Sequence, residues 1–426
     1  MGPGPGKTAP AASLSAVALV DWYWGGHHPT YFAHFVLALE QLGLRVLALC
    51  PQPEDARKEV SQLREISGFG DGTSRTEFRD VPRPSGGRWL PSRFFAAKQT
   101  IKRFCAIDRF VRAWQRETGT ATCEIFYSCM YEWDFERFRY AQPFLAFRWS
   151  GLYMRAASLS TGDAQLNGRQ INPQLDRISQ DRRLKGLAIL DEGIRGGVAE
   201  RIGRTVVVFP DFTDERLPST QIESRLGERL RAFAGDRPVV GLFGYLQRSK
   251  GLTTFCSAAQ NPALTHVCFA IVGDVDWLSF TAEERHAIQK WLAEADNVWT
   301  HLARVPDEPQ LNGLMAACDV LFGSYIDFPY SSNILAKSAV LRKPVIVSDG
   351  SLMAERVRRF RLGEIIPQED PSAAAGAMLR ILQDVDAWLQ RHRPAWEDYR
   401  RQHCFEALKS AFAKMYGHSD EGLALR

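Results

Sequence analysis

The stretches VVGLFGYLQRSKGL (residues 239–252) and FGSYIDFPYSSNILAKSAVLRKPVIVSD (residues 322–349) determine the predicted fold. Val239–Phe243 is an apolar run of strand length, and Val320–Phe322 is a second buried strand. A turn rich in glycine or serine follows each strand and opens a helical pattern. Such turns present free backbone N–H groups at the positive end of a helix dipole, so they favour the binding of a diphosphate.

Several blocks of this region resemble the C-terminal half of GT-B glycosyltransferases, most closely glycosyltransferase family 4. That family has G-x-L-x-x-x-K-G after a strand, later an A-D-V-x-x-x-P-S strand, and then P-V-I-A-S-D. This chain has Gly244-Tyr-Leu-Gln-Arg-Ser-Lys250-Gly251, then NVWTHLARVPDEPQLNGLMAACDVLFGS, and then Pro344-Val-Ile-Val-Ser-Asp349. The order and spacing of these blocks match those of the family.

The resemblance implies an α/β fold of the GT-B type, in which two Rossmann-like doubly wound domains face each other across a cleft. We expect a disordered tail over 1–15, an N-terminal acceptor-binding domain over 16–218 and a linker over 219–237. The nucleotide-sugar-binding domain is then expected over 238–390. Residues 391–426 are expected to supply a helix that crosses back to the first domain.

The donor-binding residues are predicted from the charge on the leaving phosphate, which a glycosyltransferase must stabilise. Arg248 offers a forked donor and Lys250 a compact ammonium. Lys250 matches the lysine of the family, whereas the arginine of the family falls where Tyr245 stands. Ser332 and Asn333 suit the cap of a helix whose amides would hold the distal phosphate. With the positions implied by the resemblance, the predicted donor-binding set is Gly25, Gly26, Gly244, Arg248, Lys250, Gly273, Arg304, Ser331, Ser332, Asn333, Ile334 and Lys337.

The principal departure from the family concerns a pair of glutamates. The second one commonly accepts hydrogen bonds from the ribose hydroxyls, and Lys337 stands at its position; Pro329 stands at the position of the first. An ammonium group donates hydrogen bonds and cannot accept them. We therefore expect a different mode of donor binding, an unusual donor, or the loss of catalysis. Asp327 lies nearby and is a candidate catalytic carboxylate.

The beginning of the chain is predicted to form a β–turn–α–β unit. Ala16–Asp21 and Arg45–Cys50 are strands, 30–42 is a helix, and Gly25-Gly26-His27-His28-Pro29 is the turn. Ligands of doubly wound sheets bind at the carboxyl ends of the strands, so this turn is expected to face the cleft. His27 and His28 are therefore candidate catalytic residues that contact the acceptor or the transition state. The alternative is that they only cap or pack the turn.

Two further apolar runs, Glu124–Ser128 and Pro143–Trp149, are predicted strands of the first domain. Their ends would bring Glu132, Asp134, Arg148 and Trp149 to the cleft, and Glu132, Arg148 and Trp149 are the predicted acceptor-binding residues. A carboxylate there could act as a base on an acceptor hydroxyl. An ordinary surface ion pair is the alternative.

Arg93–Arg116 is predicted to be an amphipathic helix. Its basic stripe has two interpretations. In the first, it contacts an anionic lipid surface or an anionic acceptor. In the second, it is the solvated face of a helix that packs on the core. The apolar stripe on the opposite face favours the second interpretation. The basic stripe consists of Lys98, Lys102, Arg109, Arg112 and Arg116, and the apolar stripe of Phe104, Ile107, Phe110, Val111 and Trp114.

Composition excludes several classes of function. A net charge of +4 is too small to indicate nucleic-acid binding, and the eight cysteines show neither a CxxC pair nor a zinc spacing. We expect buried free thiols and a cytoplasmic location, because there is neither a signal pattern nor an apolar stretch of transmembrane length.

No metal and no cofactor are expected. Asp274-Val-Asp276 follows a strand and is more typical of a solvated loop than of a metal site. The GPGPGKT sequence near the start lacks the spacing and the strand of a phosphate-binding loop.

The predicted function is the transfer of a sugar from a nucleotide-diphosphate donor to the hydroxyl of a sugar, lipid-linked or small-molecule acceptor. By resemblance to the family, the reaction is expected to be retaining and independent of a metal. Two alternatives are a non-catalytic GT-B protein that binds a partner or a nucleotide sugar, and an enzyme similar to nucleotide-sugar epimerases. Lys337 and Pro329 favour the non-catalytic alternative.

Overall fold

The chain divides into two compact units. A computed structural model describes residues 14–69, 75–82, 92–135, 138–159, 169–305 and 307–417. The first unit contains Met1–Ala156, Ile171–Phe209 and Phe405–Arg426, and the second contains Ala157–Gln170 and Pro210–Cys404. The divisions fall at Phe209 and Phe405 rather than at the predicted positions 218 and 391.

The strands before Pro210 alternate with helices in the order expected of a doubly wound fold. The strands are β1 (Ala16–Val20), β2 (Arg45–Cys50), β3 (Thr76–Asp80), β4 (Cys123–Met130), β5 (Trp149–Tyr153), β6 (Ala157–Leu159), β7 (Arg169–Ile171), β8 (Leu184–Ile189) and β9 (Thr205–Val208). The helices are α1 (His28–Gln41), α2 (Pro53–Ile66), α3 (Ser92–Thr118), α4 (Glu132–Phe135), α5 (Leu175–Ser179) and α6 (Arg195–Ile202).

A parallel sheet with the strand order β3-β2-β1-β4-β5-β8-β9 forms the centre of the first unit. Every residue of β1 and of β4 is buried, as is usual for strands that helices cover on both faces. Because the order reverses between β1 and β4, the carboxyl ends of these two strands form the switch point at which such sheets bind ligands.

The sequence pattern missed two elements of the first unit. Helix α2 buries only Ala56 and Val60 and strand β3 buries only Phe78, so neither has a strong hydrophobic period. The predicted strand over Pro143–Trp149 was wrong, because the strand begins at Trp149. Trp149 therefore lies at the amino end of β5, away from the switch point.

Helix α3 packs its apolar stripe on the core. Phe104, Ile107, Val111 and Trp114 are buried in the core cluster of the first unit, which confirms the interpretation of this stripe as a core face. Of the basic stripe, Lys98, Arg109, Arg112 and Arg116 are exposed, and Lys102 is partly buried. No helix in the described ranges is long and apolar enough to cross a bilayer.

The second unit contains a parallel sheet with the strand order β12-β11-β10-β13-β14-β15. This is the 3-2-1-4-5-6 order of dinucleotide-binding folds, and its switch point lies between β10 and β13. Its strands are β10 (Val239–Phe243), β11 (Cys268–Val272), β12 (Val298–His301), β13 (Val320–Gly323), β14 (Val345–Ser348) and β15 (Gly363–Ile366). Its helices are α7 (Gln221–Ala234), α8 (Leu252–Ala259), α9 (Ala282–Glu294), α10 (Glu308–Ala316), α11 (Ile334–Leu341), α12 (Leu352–Phe360), α13 (Pro371–Leu382), α14 (Val385–His392) and α15 (Trp396–Gln402).

The segment predicted as a linker is instead a packed helix. Thr220 and Glu223 form a capping box that starts α7, and Leu226, Leu230 and Ala234 lie in a core cluster of the second unit. The many charges of this segment belong to the solvated face of an amphipathic helix and do not indicate a flexible connection.

The last helix, α16 (Phe405–Tyr416), belongs to the first unit and packs on α1. The sequence pattern had joined it to α15. The ring of Phe412 lies 5.4 Å from that of Phe35, 5.0 Å from that of Phe126 and 4.7 Å from that of Phe209. An aromatic cluster thus attaches the end of the chain to the first unit.

The substitution Phe412→Ala is expected to destabilise the first unit by about 3–5 kcal/mol, because it leaves a cavity among three buried rings. Denaturant unfolding followed by tryptophan fluorescence measures this loss. Leu278→Ala removes a side chain that is 90% exposed and serves as the matched control, with an expected change of about 0.5 kcal/mol or less. Equal effects of the two substitutions would contradict the packing of α16.

Candidate functional site

The switch point of the second sheet brings together the turn after β10 and the loop after β13. The backbone N–H of Ile326 donates to the carbonyl of Ser249 at 2.9 Å. Gly251 has a φ of +75°, and a Cβ at this position would overlap the carbonyl oxygen of Ser324. Glycine is required here both for the left-handed backbone and for the close approach of the two segments.

The next strand ends in the same way. Gly273, which follows β11, has a φ of +130°, and a Cβ there would overlap the carbonyl oxygen of Gly244. Gly244 has a φ of +118°. The predicted glycines after β10 and β11 thus lie against each other at the carboxyl edge, where Gly244 is exposed and Gly273 is buried.

Lys250 points across the switch point. Its Nζ lies 3.9 Å from the ring centroid of Tyr325 and 5.1 Å from that of Phe328, both in the loop after β13. The hydroxyl of Tyr325 is 3.3 Å from Oγ of Ser332, one residue before Asn333. The structure therefore connects Lys250, through Tyr325, to the residues that start α11.

Asn333 precedes α11 with a helical backbone, and its side chain does not cap the helix. Its Oδ1 is buried and has no hydrogen-bond partner among the described residues. Ile334 packs in the core, so only its backbone can contact a ligand. An unpartnered buried acceptor beside the amino end of a helix is favourable for a polar ligand with donor groups.

Ser331 is fixed by a buried ion pair. Arg356 donates to Oγ of Ser331 at 2.6 Å, the same hydroxyl contacts the carboxylate of Asp211, and Arg356 and Asp211 are 3.5 Å apart. Arg356 is only 1% exposed and Asp211 only 3%. The hydroxyl of Ser331, predicted to bind the donor, is therefore occupied by protein groups.

Arg248 is also occupied. Its guanidinium donates to Glu284 at 2.9 Å and to Glu369 at 2.7 Å. The hydrogen bond to Glu284 is the main reason why the pKa of Arg248 lies above its usual value. Of the two predicted cations, Lys250 faces the switch point, whereas Arg248 is neutralised by two carboxylates.

Two other predicted site residues of the second unit, Arg304 and Asp327, have exposed side chains. The side chain of Arg304 is exposed, and its backbone N–H donates to Asp274 at 3.1 Å. Asp276 accepts the N–H of Leu278 in a local turn, whereas Asp274 links the loops after β11 and β12. Asp327 has a positive φ of 49° and an exposed side chain, and its N–H donates to Gln368.

Lys337 was predicted to bind the donor, but its ammonium is occupied within the protein. Its side chain is 4% exposed, and its ammonium donates to the carbonyl of Asp214 at 3.0 Å, to Glu308 at 2.7 Å and to Oδ1 of Asn312 at 2.5 Å. These three acceptors use all three of its protons. The residue at the position of the family's ribose-binding glutamate is therefore a buried connector between α11, α10 and the segment before α7.

The segment around Asp214 completes this network. Asn312 donates to the carbonyls of Asp214 and Arg216, and Arg216 pairs with the carboxylate of Asp214. Burial alone would raise the pKa of Asp214, but the hydrogen bonds from Arg216 outweigh it and lower the pKa below its usual value. Pro329, at the position of the other family glutamate, is buried, and its carbonyl accepts the N–H of Leu352.

The switch point of the first sheet holds a second polar cluster. Asp21 follows β1 directly, and its carboxylate accepts Nδ1 of His28 at 2.9 Å and Oγ of Ser128 in β4 at 2.6 Å. It also accepts the N–H of Tyr23 at 2.8 Å. The other ring nitrogen of His28, Nε2, lies 3.1 Å from the hydroxyl of Tyr131. Asp21, His28 and Ser128 are all buried.

His27 lies beside this cluster. Its ring stacks on that of His28 with centroids 4.8 Å apart, and its Nε2 lies 3.5 Å from the hydroxyl of Tyr131. The side chains of His27, His28 and Cys129 are near enough to one another to hold a metal ion. The carbonyl of Gly25 accepts the N–H of His28, and Gly26 has a φ of +59°, so these glycines form the turn into α1.

The predicted acceptor residues do not join this cluster. Trp149 is 1% exposed, and its indole donates to Asp181 at 3.0 Å inside the core. Arg148 precedes β5 and is exposed at the amino edge of the sheet. Arg148 and Trp149 were placed at the cleft because a strand was predicted to end there. Since β5 begins at Trp149, both residues lie at the opposite edge of the sheet. The side chains of Glu132 and Asp134 lie outside the part of the chain that the structure describes.

Sequence comparison agrees with the geometry of the second unit. Residues 237–384 match the family described as Glycosyl transferases group 1, and this region contains both turns of the switch point. The match covers residues 237–384 only, and the two parallel-sheet units have the GT-B fold of solved glycosyltransferase structures. The matched region is similar to group 1 glycosyltransferases, and it has Pro329 and Lys337 where the resemblance to family 4 implies glutamates.

Solved structures show the same fold over nearly the whole chain. Sucrose-phosphate synthase from Thermosynechococcus elongatus superposes with a TM-score of 0.63 at 17% identity, covering 95% of this chain and 98% of that one. HepE of Anabaena in complex with UDP and glucose superposes with a TM-score of 0.62 at 13% identity, covering 95% of this chain and 100% of that one. WaaG, a glycosyltransferase involved in lipopolysaccharide biosynthesis, superposes with a TM-score of 0.56 at 13% identity, covering 94% of this chain and 98% of that one. No protein of curated function has a significantly similar sequence.

Sequence reasoning missed the two buried carboxylates that organise these clusters. Asp21 could have been found, since it ends the first strand at the edge where ligands bind. Arg356 gave no signal, because an arginine followed by Arg358 and Arg359 on a helix is typical of a solvated face. Its buried partner Asp211 lies far away in the sequence.

Replacing Lys337 by the glutamate of the family tests the buried network. Lys337→Glu places a carboxylate against Glu308, the carbonyl of Asp214 and Oδ1 of Asn312, so it is expected to destabilise the second unit by about 3–5 kcal/mol. The midpoint of chemical unfolding measures the change. Glu308→Gln keeps an acceptor for Lys337 and is the matched control, with an expected loss of about 1 kcal/mol. An undiminished stability combined with tighter UDP binding would show that position 337 belongs to the donor site.

Proposed function

We propose that this glycosyltransferase takes its sugar from a nucleotide-diphosphate donor held at the switch point of the second unit. The observation that carries the proposal is the connection of Lys250, through Tyr325 and Ser332, to the amino end of α11. The unpartnered Oδ1 of Asn333 supplies a polar contact at the same place. Since HepE contains UDP and glucose, UDP-glucose is the first donor to test.

The chemistry at this site is the stabilisation of a leaving anion. As the bond from the anomeric carbon to the phosphate oxygen breaks, negative charge grows on the diphosphate. The ammonium of Lys250 and the first amides of α11 supply positive charge at fixed positions, which a metal would otherwise provide. We propose on this basis that the reaction needs neither a metal nor a cofactor. The resemblance to family 4 supports retention of the anomeric configuration.

A second candidate function is a non-catalytic protein that binds a nucleotide sugar or a partner. The observation that favours it is Lys337, whose ammonium is fully engaged within the protein where the family has an acceptor for the ribose. A binding protein retains the phosphate contacts without turnover. The two candidates therefore differ in whether a bound nucleotide sugar is consumed.

The substitution Lys250→Ala is expected to lower kcat/KM for UDP-glucose by about 100–1000-fold, because it removes one preorganised cation from the leaving group. Release of UDP measures turnover, and the rise in melting temperature with UDP measures binding, since a ligand of the folded state stabilises it. Lys290→Ala removes an exposed lysine of α9 and serves as the matched control with an expected wild-type rate.

Three outcomes separate the candidates. Turnover that depends on Lys250 supports the transferase. A thermal shift with UDP in the absence of any turnover of UDP-, GDP- or ADP-sugars supports the binding protein. If none of these nucleotides raises the melting temperature and none of the nucleotide sugars is consumed, both candidate functions are wrong. The anomeric configuration of the product, read by proton NMR, tests retention, and activity in excess EDTA tests independence of a metal.

We also propose a cytoplasmic location with peripheral contact between the basic face of α3 and anionic lipid. The exposed side chains of Arg109, Arg112 and Arg116 support it, although Arg112 already pairs with Asp108 at 2.6 Å. Because the apolar stripe is in the core, only electrostatic attraction is available, and it is screened by salt. Co-sedimentation with phosphatidylserine vesicles is expected at low salt and not at 0.5 M salt. The absence of sedimentation at low salt would contradict it.

A further inference from the structure

We propose that a pocket lined by Arg359, Arg361 and Arg401 in the second unit binds a phosphate monoester. This arginine pocket has a volume of about 410 Å³, within the range of roughly 300–1000 Å³ that is usual for small-molecule sites. All of its lining residues belong to the second unit. The proposal goes beyond the proposed function and does not depend on it.

The arginine pocket lies away from the proposed donor site. Helix α12 ends at Phe360 and strand β15 begins at Gly363, so the pocket is at the amino edge of the parallel sheet. The donor site is proposed at the carboxyl ends of β10 and β13, which lie at the opposite edge. A ligand of the arginine pocket is therefore distinct from the nucleotide sugar.

The arginine pocket has more positive than negative charge. Its one acidic residue, Asp398, pairs with Arg401. Among the residues that the structure describes, no carboxylate contacts Arg361 or Arg359, whose guanidinium lies 4.9 Å from the ring centroid of Phe360. Three arginines and one aspartate leave two positive charges in excess. Because charges of one sign in a concave site reinforce one another's field, such a site attracts anions.

The two walls of the arginine pocket are fixed to each other. The N–H of Ala395 donates to the carbonyl of Phe360 at 2.8 Å, and Nε of Arg361 donates to the carbonyl of Arg393 at 3.2 Å. The ring of Phe360 meets that of Tyr399 edge to face, with centroids 5.2 Å apart, and both side chains are buried. The arginines are thus mounted on a packed support before a ligand binds, which lowers the entropic cost of binding.

A phosphate monoester matches this pocket in charge and in geometry. A guanidinium group can donate two parallel N–H bonds to two oxygens of one phosphate. A monoester carries about 1.5 to 2 negative charges at pH 7, which balances the excess in the pocket, and its three acceptor oxygens suit several arginines at once. A carboxylate has only one charge and two oxygens, so it would leave part of the pocket unmatched.

The competing interpretation is that these arginines only stabilise helix ends. Arg361 directly follows α12, and cations interact favourably with the carboxyl end of a helix dipole. Arg361 has a φ of +56°, a conformation in which glycine is the usual residue after a helix. Arg358 already provides a cation in the last turn of α12, so the helix dipole alone does not account for Arg359 and Arg361 around one pocket.

Titration calorimetry of the full-length chain with glycerol 3-phosphate tests the site, with UDP in excess to occupy the donor site. The wild-type chain is expected to bind one molecule. Arg359→Ala removes one guanidinium and is expected to weaken binding about 10-fold. The matched control is Arg358→Ala, because Arg358 lies on the same helix but pairs with Asp349 at 3.1 Å and does not line the pocket. This control is expected to keep the wild-type affinity.

The substitution Arg361→Gly separates binding from structure. Glycine adopts the left-handed backbone of this position without strain, so the midpoint of chemical unfolding is expected to stay unchanged while binding weakens about 10-fold. A purely structural arginine gives the opposite result. A lower midpoint together with an unchanged affinity for glycerol 3-phosphate would therefore overturn the proposal.

A phosphate monoester can come from a soluble metabolite or from the headgroup of phosphatidic acid. Co-sedimentation with vesicles of phosphatidylcholine and phosphatidic acid that is lost in Arg359→Ala identifies the headgroup. Binding of glycerol 3-phosphate without such sedimentation identifies a soluble ester, and either result supports the arginine pocket.

Three results would overturn the arginine pocket. They are the absence of saturable binding to both probes, an equal loss of affinity in Arg358→Ala and Arg359→Ala, and displacement of glycerol 3-phosphate by UDP. A chain that binds glycerol 3-phosphate but neither binds nor consumes any nucleotide sugar retains the pocket and overturns the proposed function alone.

Discussion

The close approach of two backbone segments at the carboxyl edge of the second sheet is the constraint on which the donor site depends. Gly251 lies against the carbonyl of Ser324, and the N–H of Ile326 donates to Ser249 at 2.9 Å. A side chain at position 251 would separate the segments. Because the glycine allows contact, Lys250 is held against the ring of Tyr325 before a ligand binds. Preorganised charge of this kind needs no rearrangement during the reaction.

The loss of the family's glutamates is part of a rearranged charge network in the second unit. The ammonium of Lys337 is buried with three oxygen acceptors, one of them the carboxylate of Glu308. A buried cation is tolerated only when its partners compensate for the lost hydration. A glutamate at position 337 would face Glu308 without a counter-ion. Under the proposed function, the ribose of the donor would need an acceptor elsewhere, and the loop after β13 carries one carboxylate, the exposed Asp327.

The regular part of the fold was predictable, and the reason is physical. Fully buried parallel strands such as Val239–Phe243 and Arg45–Cys50 appear as apolar runs, and the glycines that follow them mark the turns. Elements with one or two buried residues, such as α2 and β3, leave no such pattern. At the candidate sites, Lys250 and His28 lie at the switch points, whereas Lys337 and Trp149 are buried against protein partners. Whether a polar side chain faces a ligand or the protein depends on tertiary partners, and the chain order does not reveal them.

The two buried polar pairs at the switch points differ in what they can do. Arg356 beside Asp211 and His28 beside Asp21 are similarly buried, and each pair also involves a serine hydroxyl. An arginine keeps its proton at any pH that a protein tolerates, so the first pair can only fix the loop that carries Ser331. A neutral histidine that donates from one ring nitrogen keeps an electron pair on the other, so the second pair can accept a proton. The first pair is therefore structural, and the second has the chemistry that a proton acceptor requires.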